Sequence, residues 1–208
     1  MTIAQRGWKI ILAAVLGGAL LGITARLWMR WISTDPEFSW SGTIFIVLGF
    51  AIFTTNQAIV FVLRKKTKSR RATSIIRGAG VLFSLPIFAA AGAIMFPTVA
   101  LASIAVWQKR MDKKVRLALI AISLVIPIMQ IWGFISDFGF NFVTLGRALL
   151  FVVIYSVVIY IVKPTVAPFE SADSIAKISQ RQRNILVSIF VVLITLLFLF
   201  FTVGIPGN

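Results

Sequence analysis

Long apolar runs separated by clusters of basic residues constrain this chain more than any other feature of its sequence. About 20 helical residues, each rising 1.5 Å, cross a hydrocarbon core of about 30 Å, and several runs here have that length. The chain is 59% hydrophobic and 13% charged, whereas soluble domains are about half apolar and a quarter charged. The sequence therefore predicts an all-α, polytopic integral membrane helical bundle that forms a single transmembrane domain.

Six membrane segments are predicted, or seven if one long run is a helical hairpin. The first is predicted to be a retained span rather than a signal peptide, because apolar sequence resumes after a possible cleavage point at Ala25. Small residues recur every four positions along it (Ala14, Gly18 and Gly22), which predicts close helix packing. The predicted spans are residues 8–32, 41–63, 78–107, 117–135, 144–162 and 184–203.

The run 78–107 admits two interpretations. As one straight helix it would be about 45 Å long, too long for an upright crossing and too short for two full ones. The stretch that follows, Gln108–Arg116, holds five basic residues and one acid. A single kinked crossing would place that stretch outside, against the positive-inside tendency. A hairpin broken near Pro97 would return it to the cytoplasm, and proline suits such a break because it has no amide hydrogen.

The net charge of +15 arises from 21 basic and six acidic residues. In a membrane protein, Lys and Arg collect in cytoplasmic loops, so the charge indicates orientation rather than nucleic acid. The prediction is a cell-membrane protein whose N-terminus and basic loops are cytoplasmic. With the hairpin, all but three of the basic residues fall inside, and the outer three are Arg26, Arg30 and Arg147.

Several reaction chemistries lack their residues in this sequence. The chain contains no cysteine and no histidine, which removes disulfides, thiolate nucleophiles, Cys/His metal sites and imidazole bases. No aspartate lies well inside an apolar run, and no Walker pattern is present. We therefore expect no enzyme, no catalytic residue, no metal and no cofactor.

The outer end of the first span carries the first group of candidate residues. Arg26 and Arg30 are four residues apart, so they share one helix face. Three interpretations remain open: snorkelling to headgroups beside Trp28, Trp31 and Trp40, structural pairing with an acid, or an anion or lipid site. The ligand or ion-pair candidates are Arg26, Arg30, Asp35, Glu37, Asp137 and Arg147.

Two further groups of polar residues are candidates. A polar patch inside the second span is expected to hydrogen-bond across helices or to line a solute path, and consists of Thr54, Thr55, Asn56 and Gln57. A basic stretch after that span is expected to hold anionic lipid headgroups at about 1 kcal/mol per residue. Its members are Arg64, Lys65, Lys66, Lys68, Arg70 and Arg71.

The sequence leaves two functional hypotheses. The first is an accessory or scaffold membrane protein, without catalytic chemistry, that packs with a partner complex in the membrane or with lipid. The alternative is a small permease or channel, with a broken-helix site at 78–107 and the polar patch at 54–57, because discontinuous helices mark many transport sites. The predicted partners are anionic membrane lipids and a membrane protein.

Overall fold

A computed structural model describes residues 3–34, 38–67, 69–85, 87–88, 93–108 and 110–168. The described residues are helical with short connections and contain no strand. The predicted span 184–203 and the acids Asp35 and Glu37 lie outside them. The helices are α1 (Ile3–Ile32), α2 (Trp40–Lys66), α3 (Arg70–Leu82), α4 (Phe96–Trp107, preceded by the 3₁₀ turn Ala93–Met95), α5 (Lys113–Phe138), α6 (Phe142–Ile161) and α7 (Lys163–Val166).

Four described helices are long and apolar enough to cross a membrane: Gly7–Ile32, Trp40–Lys66, Lys113–Phe138 and Phe142–Ile161. They coincide with four of the six predicted segments, and their ends differ from prediction by a few residues. The largest difference is at the start of α5, where the Asp112 carboxylate accepts the Lys114 amide at 2.9 Å and caps the helix. The last four of the nine residues Gln108–Arg116, predicted to form a loop, are therefore helical.

The first two helices are antiparallel and close. Gly7 lies beside Val62, Gly18 beside Thr54 and Gly22 beside Val47. A Cβ added to Gly22 would lie 2.7 Å from the Val47 Cα, closer than real contacts allow. The small residues of α1 thus let the two backbones approach, as their spacing predicts.

Aromatic side chains fill the space between α1, α2, α5 and α6. Trp28 stacks on Phe151 with ring centroids 5.4 Å apart and meets the edge of Phe134 at 6.0 Å. The Trp28 indole N–H donates to the Arg147 carbonyl oxygen at 2.9 Å. These rings lie in a core that includes Phe50 and residues of α6 one turn apart, so burial and a satisfied indole fix α1 against α6.

The run 78–107 is not one continuous helix. The first limb, α3, ends at Leu82, where the Phe83 amide bonds back to the Ala79 carbonyl. Leu85, Ile87 and Phe88 are helical again. The helix α4 begins at Phe96 with Pro97 in its first turn, where the missing amide hydrogen of proline costs nothing. The second limb, α4, has 12 residues and is about 18 Å long, too short to cross a hydrocarbon core.

Both ends of this run meet at one backbone atom. Arg77 Nη2 donates to the Val166 carbonyl oxygen at 2.9 Å, and Gln108 Nε2 donates to the same oxygen at 2.6 Å. Trp107 Nε1, beside Gln108, donates to the Ile159 carbonyl at 2.8 Å. Since a straight helix of this length would separate its ends by about 45 Å, the chain folds back on itself. We call residues 78–107 the hairpin.

The helix directions sort the described charges into two ends of the bundle. The end that holds Arg64, Arg77 and Gln108 is called the basic end, and α1 and α5 also begin there. The end that holds Trp31, Phe38 and Phe138 is called the aromatic end. Arg26, Arg30 and Arg147 lie towards the aromatic end, in the grouping that the sequence predicted.

Candidate functional site

The polar patch of α2 lies against the first limb of the hairpin. Asn56 Nδ2 donates to the Gly80 carbonyl oxygen at 2.9 Å and to the Ser84 hydroxyl at 3.2 Å. Gln57, only 2% exposed, donates to the same hydroxyl at 2.8 Å. Its carbonyl oxygen accepts the Thr165 hydroxyl at 2.6 Å. These bonds join α2, α3 and α7 through one buried set of groups, which we call the polar network.

The two threonines of the patch lie in different surroundings. The Thr54 hydroxyl lies 2.7 Å from the Ala14 carbonyl oxygen on α1 and 3.0 Å from the Phe50 carbonyl oxygen on α2. It therefore lies at the close contact beside Gly18. Thr55 is half-buried on α2. Three of the four predicted patch residues thus hydrogen-bond with neighbouring helices, which is the structural role that the sequence left open.

Two arginines at the basic end bind the short helix α7. Arg64, 7% exposed, donates through Nη1 to the Pro164 carbonyl and through Nη2 to the Pro168 carbonyl at 2.8 Å. Arg77 donates through Nε to the Thr165 carbonyl at 2.7 Å, besides its bond to Val166. Guanidinium groups at a helix C-terminus satisfy carbonyls that the helix leaves free and oppose its negative end. We call these acceptors the α7 carbonyl cluster: the carbonyl groups of Pro164, Thr165, Val166 and Pro168.

The predicted headgroup residues therefore fall into two groups, those in contact with other groups of the protein and those that are exposed. Arg64 is bonded to protein carbonyls, and Lys65 Nζ lies 4.3 Å from the centroid of the Phe61 ring. Lys66, Arg70 and Arg71 are exposed, whereas Lys68 lies outside the described residues. Headgroup binding by the exposed members stays a prediction.

At the aromatic end, guanidinium groups lie over rings. Arg147 Cζ is 3.9 Å from the Phe138 ring centroid and 5.8 Å from that of Trp31. Arg30 Cζ is 5.2 Å from the Phe38 centroid. The Nε atoms of both arginines are buried without a hydrogen-bond partner. Cation–π contact is thus the interaction that the described residues provide for these two charges.

Arg26 makes a different contact. Its Nε donates to the Thr43 hydroxyl at 3.3 Å, joining the outer end of α1 to the first turn of α2. The predicted pairing with Asp35 or Glu37 falls outside the described residues and stays a prediction. Asp137 is exposed at the last turn of α5, and no ion pair links it to an arginine within the described part of the chain. The structure thus gives Arg26 a tertiary partner that the charge pattern did not indicate.

The described structure includes an interior cavity and a cavity at the basic end. An interior cavity of about 20 Å³ is lined by apolar side chains that include Trp28, Phe50, Ile87 and Ile154, so it has room for about one water but no polar lining to hold it. At the basic end, a cavity of about 270 Å³ is lined by arginine, threonine and serine residues. We call it the basic cavity, and its lining residues are Arg70, Thr73, Ser74, Arg77 and Arg110.

Two hydroxyl groups on α4 are buried without a hydrogen-bond partner. Thr98 is 5% exposed and Ser103 is fully buried, and neither Oγ atom has a partner among the described residues. In a helix such hydroxyls ordinarily donate to the carbonyl one turn back. Among the described residues of the hairpin, these are the buried side-chain polar atoms without a partner.

The described residues contain no group of three or more His, Cys, Asp or Glu side chains that could hold a metal ion. Comparison of the chain with protein-family models, with curated proteins and with solved structures gave no match.

Sequence reasoning missed four residues that hold the hairpin in place: Arg77, Ser84, Gln108 and Thr165. Each acts through a partner far along the chain, such as Gln108 through Val166 and Thr165 through Gln57, so no local pattern marks it. One local signal was present. Arg70, Thr73, Ser74 and Arg77 follow the spacing of a single helix face, and that face lines the basic cavity.

Proposed function

We propose that this protein is a non-catalytic membrane protein that acts as an accessory or scaffold component, through its surfaces rather than through a solute site. The observation that carries the proposal is the polar network. The side chains that could have lined a path through α2 are instead bonded to α1, to the hairpin and to α7. These polar groups of α2 thereby serve the architecture.

The proposal places the protein in the cell membrane with its basic end in the cytoplasm. Positive charge concentrates at cytoplasmic ends of spans, and the basic end holds all the described Lys and Arg other than Arg26, Arg30 and Arg147. In this orientation the hairpin enters from the cytoplasmic side and returns to it. Irregular backbone at membrane depth needs protein around it, and Ile87 and Met95 near the break are buried.

The surface that would contact other membrane components is best developed on α5. Only Ser123 and Phe134 of this helix are buried, whereas Trp132 is 71% exposed and Ile128 61% exposed. A helix of this hydropathy and exposure has an apolar face for lipid chains or for a partner subunit. This fits a protein that works by lateral packing.

Substitution in the polar network tests the proposal. Gln57→Leu removes the acceptor of Thr165 and one bond to Ser84, and such bonds in membranes are worth about 0.6 kcal/mol on average and about 1.7 at most. We expect Gln57→Leu and Asn56→Leu to lower the free energy of unfolding in mixed micelles by about 1 kcal/mol. Proteoliposomes containing these variants, or the original protein, should show the permeability of protein-free liposomes in stopped-flow light scattering. Thr55→Val, a half-buried neighbour on α2, is the matched control.

A small permease or channel is the second candidate, favoured by one specific observation. The hairpin is broken inside the bundle, and its return limb carries the unpartnered hydroxyls of Thr98 and Ser103. Discontinuous helices with free polar groups form many transport sites. Solute flux above the liposome background, lost in Thr98→Val at unchanged stability, would favour this candidate and contradict the scaffold proposal.

A further inference from the structure

The basic cavity is built by the closure of the hairpin. Arg70, Thr73, Ser74 and Arg77 lie on one face of α3, at intervals of three or four residues. Arg110 reaches the same cavity from the other side of the hairpin, just beyond α4. Arg77 and Gln108 share the Val166 carbonyl, so the closure that brings the limbs together also brings Arg110 opposite α3.

The charge of the cavity lining has one sign. Three guanidinium groups and two hydroxyls line it, and none of the lining residues is acidic. Asp112 lies close in sequence to Arg110, but its carboxylate caps α5 through the Lys114 amide. Arg77 is held in position by its bonds to Thr165 and Val166, so one of the three charges has a fixed orientation.

The chemistry of the cavity fits a phosphate group. Its volume of about 270 Å³ is just below the range of about 300–1,000 Å³ for drug-sized ligands, so it is larger than a phosphate group alone requires. Arginine binds phosphate through paired, charge-assisted hydrogen bonds. The Ser74 hydroxyl is a further donor, whereas the Thr73 hydroxyl donates to the Ser69 carbonyl at 3.0 Å and can offer its oxygen only as an acceptor.

We infer that the basic cavity is a phosphate-binding site, with Arg70, Arg77 and Arg110 as its cationic ligands and Ser74 as a neutral donor. The inference deepens the proposed function and rests on its orientation, in which the cavity opens at the cytoplasmic membrane surface. The phosphate there belongs to an anionic lipid headgroup or to a free phosphate ion. The two sources share the same chemistry and differ only in the acyl chains.

Binding by the full-length protein in detergent tests this inference. Native mass spectrometry measures the apparent Kd for short-chain phosphatidic acid, with phosphatidylcholine of the same chain length as the reference lipid. Calorimetric titration measures the Kd for inorganic phosphate. We expect Arg70→Ala and Arg110→Ala each to weaken phosphatidic acid binding about fivefold, the equivalent of one basic contact. If the unsubstituted protein binds inorganic phosphate without lipid, the free ion is a ligand. If it binds phosphatidic acid but not inorganic phosphate, the ligand is the lipid headgroup.

Neighbouring exposed basic residues outside the cavity provide matched controls. Lys113 and Arg116 lie in the first turn of α5, and neither lines the cavity. Lys113→Ala and Arg116→Ala should leave both Kd values unchanged. Equal weakening by all four substitutions, or equal binding of phosphatidic acid and phosphatidylcholine together with no phosphate binding, would overturn the inference. The permeability assay above is independent of these outcomes. The scaffold proposal can therefore fail while the phosphate site is supported, and the phosphate site can fail while the scaffold proposal is supported.

Discussion

The two ends of the bundle both hold arginines beside apolar helices, but the arginines make different kinds of contact. At the basic end, Arg64 and Arg77 donate four hydrogen bonds to the α7 carbonyl cluster. At the aromatic end, Arg30 and Arg147 lie over aromatic rings, with their Nε atoms buried and unpartnered. Arginine therefore joins distant segments of the chain through directional hydrogen bonds at the basic end and packs against aromatic rings at the aromatic end.

The difference has a consequence for stability. Hydrogen bonds from a charged group contribute about 1.5–3 kcal/mol each, and removing one partner leaves the other desolvated. A cation–π contact contributes about 0.5–1 kcal/mol at exposed sites and about 2 when desolvated, and here an unpartnered Nε offsets part of that gain. Substitutions at the basic end should therefore cost more than those at the aromatic end.

The largest effect is expected for Arg77→Leu. This change removes two bonds to α7 and leaves the Thr165 carbonyl without that donor, so the free energy of unfolding should fall by about 3 kcal/mol. Spin labels on cysteines introduced at Ser74 and Arg110 should report a longer and broader distance distribution. The chain contains no native cysteine that would react with the spin label.

Arg77→Lys and Arg71→Ala are the controls for this prediction. Lysine keeps the charge but lacks the planar fork that reaches two carbonyls, so Arg77→Lys should recover only part of the stability. Arg71 is exposed on the same helix, and its replacement should leave both stability and label distance unchanged. If Arg77→Leu behaves like Arg71→Ala, the shared carbonyl does not close the hairpin.

The membrane-spanning elements could be predicted from the sequence because the bilayer imposes a length and excludes charge. Four spans were placed within a few residues, and α5 was misplaced most because the Asp112 cap starts it inside a basic stretch. The hairpin stayed ambiguous because 30 apolar residues fit neither one crossing nor two. The break predicted near Pro97 lies at the start of α4, and a second interruption follows α3 at Phe83 and Ser84.

The candidate site could be predicted only where a local pattern existed. Asn56 and Gln57 were identified because polar side chains in an apolar run are conspicuous, but their partners Gly80, Ser84 and Thr165 were not. A hydrogen bond across 108 residues of sequence has no periodicity. Arg64 was grouped with the exposed basic residues for the same reason, because its partners Pro164 and Pro168 are 100 and 104 residues away.

At the aromatic end, Arg147→Leu should have a smaller effect than Arg77→Leu. The substitution loses the contact with the Phe138 ring at 3.9 Å but also removes the buried, unpartnered Nε. These terms oppose each other, so the free energy of unfolding should change by less than about 1 kcal/mol. A loss near 3 kcal/mol in the same mixed micelles would mean that Arg147 has a strong partner and that the two ends are equivalent.

The smallest effect expected is the difference between Arg26→Ala and Arg30→Ala. Arg26 loses a hydrogen bond to Thr43, worth about 1 kcal/mol, whereas Arg30 loses a cation–π contact with exposed Phe38, worth about 0.5. Arg26→Ala should therefore be the more destabilising by about 0.5 kcal/mol. A double-mutant cycle between Arg26→Ala and Thr43→Val should give a coupling energy of at least about 0.5 kcal/mol. A second cycle, with Asp35→Asn in place of Thr43→Val, tests the ion pair that the charge pattern predicts. Coupling only in the second cycle would make Arg26 an ion-pairing residue, and the aromatic end would then resemble the basic end in giving an arginine a directional partner.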